Sequence, residues 1–112
     1  MKALRQRKYG SPDFLEIGEV EQPIPGKHHV LIKVHAVSIN DWDWGLLNGT
    51  PVIPNRLMAG LFKPGIIVGS DIAGRVESVG RNVSRFKPGD EVYGDLSGRG
   101  FGGFAELPLL LF

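Results

Sequence analysis

The sequence predicts a mostly β domain, either a barrel or a sandwich, with one short helix. Short runs of alternating residues recur along the chain, and only one segment carries helix-capping residues at both ends. The 112 residues include 16 glycines and 8 prolines, and glycine is at about twice its usual share of roughly 7%. Chains punctuated so often favour short strands and tight turns. This length suits a single domain, which we expect to span residues 1–112.

Strands are predicted in both halves of the chain. The strongest candidate is His29–Ile39, where β-branched residues recur with period two. Lys2–Lys8 and Phe14–Val20 are weaker candidates, joined by a turn at Tyr9–Pro12. Turns are expected at Gly80–Asn82 and Lys87–Asp90, and a glycine-rich loop at Gly94–Gly103. Further strands are expected at Ile66–Val68, Ile72–Val79 and Glu91–Tyr93, and a last strand is expected to begin with Phe104–Glu106.

One short helix is predicted after the strongest strand. Asn40 is a good N-cap, Asp43 follows three residues later as in a capping box, and Gly49 suits the position after a helix end. The helix leads into a long connection, residues 50–65, whose middle segment Asn55–Phe62 is expected to form a helical turn or two. Connections of this length are uncommon in compact domains and are often functional.

Composition excludes several classes of function. Lys and Arg number 13 against 12 Asp and Glu, and this net charge of +1 gives no electrostatic reason to expect nucleic acid or an anionic membrane. The chain has no cysteine, hence neither disulfides nor thiolate metal ligands. The N-terminal residues contain no apolar signal-peptide core, and no apolar run approaches the roughly 20 residues of a membrane span. We expect a cytoplasmic protein with no nucleic-acid and no membrane partner.

The segment Gly98–Gly103 matches the dinucleotide-binding pattern G-x-G-x-x-G but lacks its context. That pattern needs a helix that opens at the glycines and an acidic residue about 20 positions later. Only nine residues follow Gly103, and the first of them favour a strand. We therefore predict a flexible loop here rather than a cofactor site.

The three histidines do not form a pattern typical of a metal site. His28 and His29 are adjacent at a strand start and point to opposite faces. His35 shares a face with Lys33, which indicates solvent. We predict surface positions for all three histidines and no metal site.

Several stretches of the chain together resemble one family. They are Met1–Ala3 with Tyr9–Pro12, then Ser38–Trp44, then the glycine-punctuated Gly69–Val83 with Phe86–Gly94, and finally Gly103–Glu106. These stretches are similar to the N-terminal catalytic domain of the medium-chain dehydrogenases/reductases, and the resemblance covers nearly the whole chain. It implies a GroES-like, partly open β-barrel with one or two short helices.

Departures from that family bear on metal binding. Zinc alcohol dehydrogenases carry Cys at the position of Asn40, His at the position of Ser70 and usually Glu at that of Asp71, whereas Asp43 is retained. The replacements resemble the zinc-free quinone and enone reductases. This resemblance implies direct hydride transfer between NADPH (or NADH) and a quinone, an enone or a related carbonyl or alcohol, with no zinc. A conjugated acceptor is already electrophilic, so the protein's task is orientation.

The same resemblance nominates the site residues. Asn40 and Asp43 are the catalytic candidates, and Asn40 and Trp44 are expected beside the nicotinamide. Simpler roles fit the same residues: Asn40 with Asp43 as a helix cap alone, and Trp44 as a core aromatic. Ser70 and Asp71 then only shape the start of a strand.

The resemblance also implies a second domain. In this family the cofactor lies in a cleft between two domains, and the doubly wound nucleotide-binding domain is absent from these 112 residues. We therefore expect the two-domain parent to be an enzyme, and this chain alone to be inactive and to bind no cofactor tightly. The alternative is a non-catalytic, stand-alone GroES-like interaction module.

The C-terminal segment is expected to mediate self-association. Its large apolar residues would each forgo about 1.5–3 kcal/mol of burial if they were exposed. Pro108 limits strand pairing there, because it lacks a backbone donor. The alternative is a tail that folds back over the chain's own sheet. The residues expected to form the interface are Leu107, Leu109, Leu110, Leu111 and Phe112.

Overall fold

The computed structural model describes residues 1–50, 60, 65–99 and 101–111. These residues form six strands, one α-helix and two 3₁₀ turns. None of the helices in the described ranges has the length and apolar character of a membrane span. The elements are β1 (Lys2–Gln6), a 3₁₀ turn (Pro12–Phe14), β2 (Leu15–Glu19), β3 (His29–Val37), α1 (Asp41–Asn48), β4 (Asp71–Val79), β5 (Glu91–Asp95), a 3₁₀ turn (Ser97–Arg99) and β6 (Leu109–Leu111).

The strands form two antiparallel sheets. β1 and β2 pair with Lys2 opposite Glu19 and Gln6 opposite Leu15. The other four strands lie in the order β5-β4-β3-β6. Neither sheet closes into a barrel within the described residues. The prediction of a mostly β fold with one or two short helices is confirmed, whereas the partly open barrel that was expected is, in the described residues, a pair of open sheets.

The main core lies on one face of the four-stranded sheet. Val30 and Ile32 of β3 pack with Ile72 and Val76 of β4 and with Leu96, and each is at most 5% exposed. Residues two apart on a strand share a face, which explains why alternate positions of β3 and β4 supply this cluster. Burying each such side chain contributes about 1.5–3 kcal/mol, so the cluster holds β3 against β4.

A second, smaller core fixes α1 to the surrounding loops. Its buried members are Leu46 of α1, Val68 and Phe101. Leu46 lies one helical turn after Asp43, and both side chains are buried. Rotation of α1 would expose Leu46, so this cluster sets the orientation of the helix.

Most of the predicted elements are confirmed. The first hairpin, β3, α1, β4 and β5 all fall within or within a residue or two of the predicted segments. β5 continues to Asp95, two residues further than expected. The helical turn predicted within Asn55–Phe62 lies, apart from Gly60, outside the described residues.

Two predicted strands are wrong. Ile66–Val68 forms no strand, because Gly69 adopts a φ of 107° and turns the chain directly after it. Phe104–Glu106 forms only an isolated antiparallel bridge between Ala105 and Ala3. The last strand begins later, at β6.

The backbone of the C-terminal segment folds back onto the chain's own sheet. β6 pairs antiparallel with β3, with Leu109 opposite Leu31 and Leu111 opposite His29. Leu107 and Leu109 are half-buried, and Phe112 lies outside the described residues. The last strand is thus paired with β3 of the same chain. Self-association through the C-terminal segment stays a prediction.

Candidate active site

The N-terminus of α1 is closed by a capping box. Asn40 Oδ1 accepts the backbone N–H of Trp42 at 3.0 Å, and Asp43 Oδ2 accepts the backbone N–H of Asn40 at 3.0 Å. At the other end, Gly49 adopts the left-handed conformation with φ of 71° and donates its N–H to Gly45. Both caps are where the sequence predicts them.

The other end of the Asn40 carboxamide reaches across the fold to the start of β4. Nδ2 donates to Ser70 Oγ at 2.8 Å and to Asp71 Oδ2 at 2.6 Å. The backbone N–H of Trp42 can only donate, so the amide oxygen must face the helix and the NH₂ group must face Ser70 and Asp71. One side chain thereby joins the helix cap to residues 30 and 31 positions further along the chain.

Asp43 makes a second connection between the same two parts of the chain. Its side chain is 3% exposed, and its Oδ1 accepts the backbone N–H of Gly69 at 2.9 Å. Burial raises the pKa of Asp43, while the N–H groups of Asn40 and Gly69 lower it and the nearby charge of Asp71 raises it further; the pKa lies above its ordinary value. Sequence reasoning found the contact with Asn40 but missed the contact with Gly69.

Gly69 has two reasons to be glycine. Its φ of 107° is a conformation that side chains disfavour, and a Cβ atom there would lie 2.7 Å from the backbone nitrogen of Phe104. This close approach places the Gly69 N–H against Asp43. Ser70 follows it and is 1% exposed, so the site's hydroxyl is fully buried.

Two tryptophans follow Asn40 in the first turn of α1. Trp42 is 44% exposed and Trp44 is 55% exposed, so the interpretation of Trp44 as a core aromatic is wrong. Ile39, just before the cap, is 81% exposed. Trp42, which the sequence analysis did not single out, meets the ring of Phe101 in a T-shaped contact with centroids 6.2 Å apart. Ile39, Trp42 and Trp44 thus leave apolar surface exposed at the N-terminal end of α1.

The described residues supply no cluster of metal ligands. No group of three or more His, Cys, Asp or Glu lies close enough within them to hold a metal ion. His28 and His35 are exposed, and the Nδ1 atom of the half-buried His29 accepts the backbone N–H of Gly26. These positions fit the surface roles predicted for the histidines.

Two other features lie outside the site. A cavity of about 430 Å³ is lined by Ile72, Phe86 and Val92 among others, but not by Asn40, Asp43 or Trp44. It is a gap beside the main core. After Gly98–Gly103, the described residues form a turn, a bridge and β6 but no helix, as we expect of a loop rather than a dinucleotide site.

Comparison with known proteins decides the family. Residues 26–109 match the alcohol dehydrogenase GroES-like domain. The chain belongs to this family. The resemblance to the N-terminal domain of the medium-chain dehydrogenases/reductases and the expected GroES-like fold are therefore confirmed.

Individual members of the family give a more detailed likeness. The chain is 40% identical over 109 residues to the chloroplastic quinone oxidoreductase QR1 of Triphysaria versicolor, covering 95% of the chain and 31% of that relative. The structure of the quinone oxidoreductase from Coxiella burnetii matches with a TM-score of 0.84 and 29% identity, over 99% of this chain and 34% of that one. The Escherichia coli quinone oxidoreductase complexed with NADPH shares the fold, with a TM-score of 0.77 and 22% identity over 99% of this chain and 31% of that one. The chain thus spans about a third of the length of these proteins.

Proposed function

We propose that residues 1–112 are the N-terminal catalytic domain of an NAD(P)H-dependent oxidoreductase that reduces a quinone, an enone or a related carbonyl compound by direct hydride transfer without zinc. The observation that carries this proposal is the direct contact of Asn40 with Ser70 and Asp71. By resemblance, these are positions at which zinc enzymes of the family hold or surround their metal. The quinone oxidoreductases among the relatives support the choice of acceptor.

The donor set at this position does not fit zinc. The Asn40 oxygen is taken by the helix cap, and the NH₂ group that faces Ser70 has no lone pair to offer a cation. A serine hydroxyl is also a weak ligand for this ion. Two ligands of one tetrahedral zinc, each about 2.0–2.3 Å from the metal, would lie roughly 3.3–3.8 Å apart, whereas Asn40 Nδ2 and Ser70 Oγ are 2.8 Å apart.

The chain's own residues would form one wall of a cofactor site. A bound nicotinamide supplies the hydride. We propose that Trp44 and Asn40 lie beside the nicotinamide, since Trp44 is more than half exposed and Asn40 stands at the same helix end. Both hydrogens of the Asn40 NH₂ group are already donated within the chain, so its contribution is to hold the wall in place. Asp43 acts behind it, because a buried carboxylate that bridges α1 and Gly69 fixes the spacing of the two segments.

The phosphates of the dinucleotide need a partner domain. We propose that a doubly wound domain outside residues 1–112 binds them, since relatives that share this domain are about three times as long. A cytoplasmic location and self-association through Leu107 and Leu109–Phe112 belong to the same proposal. The half-buried state of Leu107 and Leu109 leaves part of their apolar surface for a partner.

The experiment compares the 112-residue chain with the proposed two-domain protein. NADPH oxidation is followed with 1,4-naphthoquinone as acceptor, and NADPH is the first donor to test because it accompanies the same fold in the Escherichia coli complex. We expect turnover in the two-domain protein and none above a buffer control in the chain alone. Ring-sized assemblies in gel filtration, together with no turnover in either protein, would instead support the interaction module.

A further inference from the structure

Tyr93 projects from the outer face of the four-stranded sheet, opposite the main core. It lies in the middle of β5 and is 91% exposed. Its partner across the ladder is Ala73 of β4, whose methyl group is too small to cover the phenol ring. The next residue of β5 is Gly94, which has no side chain to cover it either. The ring of Tyr93 therefore stands out from the sheet as a separate projection.

A hollow lies directly beside Tyr93 on the same face. It has a volume of about 530 Å³, and its lining includes Tyr93 itself, Ala73 and Gly74, and the charged residues Arg75 and Glu91. The hollow is low at Ala73 and Gly74, because these two residues have almost no side chain. A projection and a hollow thus occur side by side on one surface.

The hollow is shaped by the backbone. The ladder between β3 and β4 pairs Val34 with Gly74 and Ala36 with Ala73, so the intervening His35 is left unpaired as a β-bulge. At Gly74 a Cβ atom would overlap the carbonyl oxygen of Lys33, so no larger residue fits there. Because backbone contacts fix its floor, the hollow is formed before any partner binds.

The edge of the hollow carries one charge of each sign. Arg75 Nη2 donates to Glu91 Oε1 at 2.7 Å, and the two side chains remain 54% and 75% exposed. Two adjacent opposite charges are complementary to a copy of themselves rotated about a two-fold axis, because Arg75 of one copy then faces Glu91 of the other. A surface of a single sign would repel its own copy.

We propose that this face is an interface between two copies of the chain, in which Tyr93 of each copy inserts into the hollow of the other. In a two-fold interface each copy supplies and receives the same side chain, and the neighbouring projection and hollow meet this requirement. Tyrosine and arginine are residue types that often dominate the binding energy of interfaces. The C-terminal strand β6 lies at the opposite edge of the sheet from β5, so this interface is separate from the C-terminal segment.

Sedimentation of the 112-residue chain from about 10 μM to about 1 mM measures its dimerisation. Tyr93→Ser should weaken dimerisation about thirtyfold or more, because each dimer loses two buried rings. Tyr93→Phe keeps the ring and should stay within about threefold of the wild type. Ile17→Ser is the matched control, since Ile17 is 75% exposed on β2 in the other sheet; dimerisation should not change.

Filling the hollow separates a specific fit from general apolar adhesion. Ala73→Leu leaves Tyr93 in place but occupies the space that the ring of the other copy needs. We expect this variant to dimerise about tenfold more weakly, although it adds apolar surface. General adhesion would instead make Ala73→Leu associate more strongly than the wild type.

Exchanging the charges tests the two-fold arrangement. Arg75→Glu and Glu91→Arg should each be monomeric alone, because like charges then face each other across the interface. An equal mixture of the two variants should form dimers, since each variant carries the charge that the other has lost. All the substituted side chains are exposed, and the mixture decides the matter even if Ala73→Leu fails to fold.

Several results would overturn the proposal. They are a wild type that stays monomeric at about 1 mM, a Tyr93→Ser variant that dimerises within about twofold of the wild type, and a mixture of charge variants that stays monomeric. Dimers that are lost in the double variant Leu110→Asp with Leu111→Asp but kept in Tyr93→Ser would assign the interface to the C-terminal segment. Protection of Tyr93 from nitration by tetranitromethane in a monomeric two-domain protein would mean that another domain covers this face.

Discussion

Replacing Asp43 by asparagine tests the connection between α1 and the start of β4. The buried carboxylate accepts the backbone N–H groups of Asn40 and Gly69 with its two oxygens. A carboxamide keeps only one acceptor oxygen, so one of these N–H groups would face an NH₂ group. A buried donor left without an acceptor costs about 1–3 kcal/mol. Relief of the buried charge offsets part of this, and we expect the free energy of unfolding to fall by about 2 kcal/mol at neutral pH.

Thermal and urea unfolding, followed by tryptophan fluorescence, measure this loss. A decrease of about 2 kcal/mol corresponds to a melting temperature lower by roughly 8 °C in a domain of this size. Asp41→Asn is the matched control, because Asp41 is exposed in the same helical turn and its loss costs only the helix-dipole contribution of about 0.3–1 kcal/mol. Equal losses in the two variants would refute the bridging role of Asp43.

The pH dependence of the same comparison tests the cause of the pKa shift. Burial raises the pKa of Asp43 above its ordinary value of 3.8, so the unfolded chain releases this proton at lower pH than the folded chain. The stability that the protonated carboxyl contributes is therefore fully present below pH 3.8 and is lost as the pH rises through the folded-state pKa. We expect the advantage of the wild type over Asp43→Asn to be largest at acid pH and to decline towards neutral pH. An advantage that grows with pH would mean that hydrogen bonding outweighs desolvation.

Further predictions concern stability, catalysis and assembly. Gly69→Ala combines a φ of 107° with a steric clash, whereas at Gly89 the φ is 93° but a Cβ atom would have no atom within 4 Å. In urea unfolding, Gly69→Ala should therefore lower the free energy of unfolding by at least twice the roughly 1–2 kcal/mol expected for Gly89→Ala. Equal losses in the two variants would exclude the clash. Asn40→Ala should cost about 0.5–2 kcal/mol as a lost cap. Asn40→Ser keeps a cap oxygen but loses the NH₂ group that donates to Ser70 and Asp71, so it should retain the cap's share of the stability while turnover of the two-domain protein falls; full turnover would leave Asn40 as a cap alone. The double variant Leu110→Asp with Leu111→Asp should dissociate any self-assembly through the tail that is seen by sedimentation, and a wild type that stays monomeric at high concentration would rule out the tail as an interface.

Local features of this fold are predictable from the sequence because the interactions that determine them are local. The cap of α1 depends on Asn40, Asp43 and Gly49, all within one short segment, and the structure has each in its expected role. Strand positions follow from period-two patterns in the same way. Ile66–Val68 has an apolar composition typical of a strand, but the positive φ of Gly69 turns the chain directly after it, and the segment joins neither sheet. No pattern in the sequence specifies that conformation.

The site itself depends on contacts between distant segments. The resemblance to a known family identified Asn40 and Ser70 as positions where the zinc enzymes carry Cys and His. The hydrogen bond between Asn40 and Ser70, however, joins residues that are 30 positions apart, and it depends on the docking of α1. The contact between Trp42 and Phe101 spans the fold in the same way and was not predicted. An aromatic residue enclosed by glycines was the one signal that could have drawn attention to Phe101.

Metal content and turnover, measured on the same preparation of the proposed two-domain protein, distinguish a zinc-free site from a zinc site. We expect steady NADPH oxidation with 1,4-naphthoquinone, no stoichiometric zinc by elemental analysis, and a rate unchanged by prior treatment with a chelator, because the Asn40 NH₂ group that faces Ser70 and Asp71 cannot bind a metal ion. About one tightly held zinc per chain, with activity lost on chelation and restored by zinc, would contradict it.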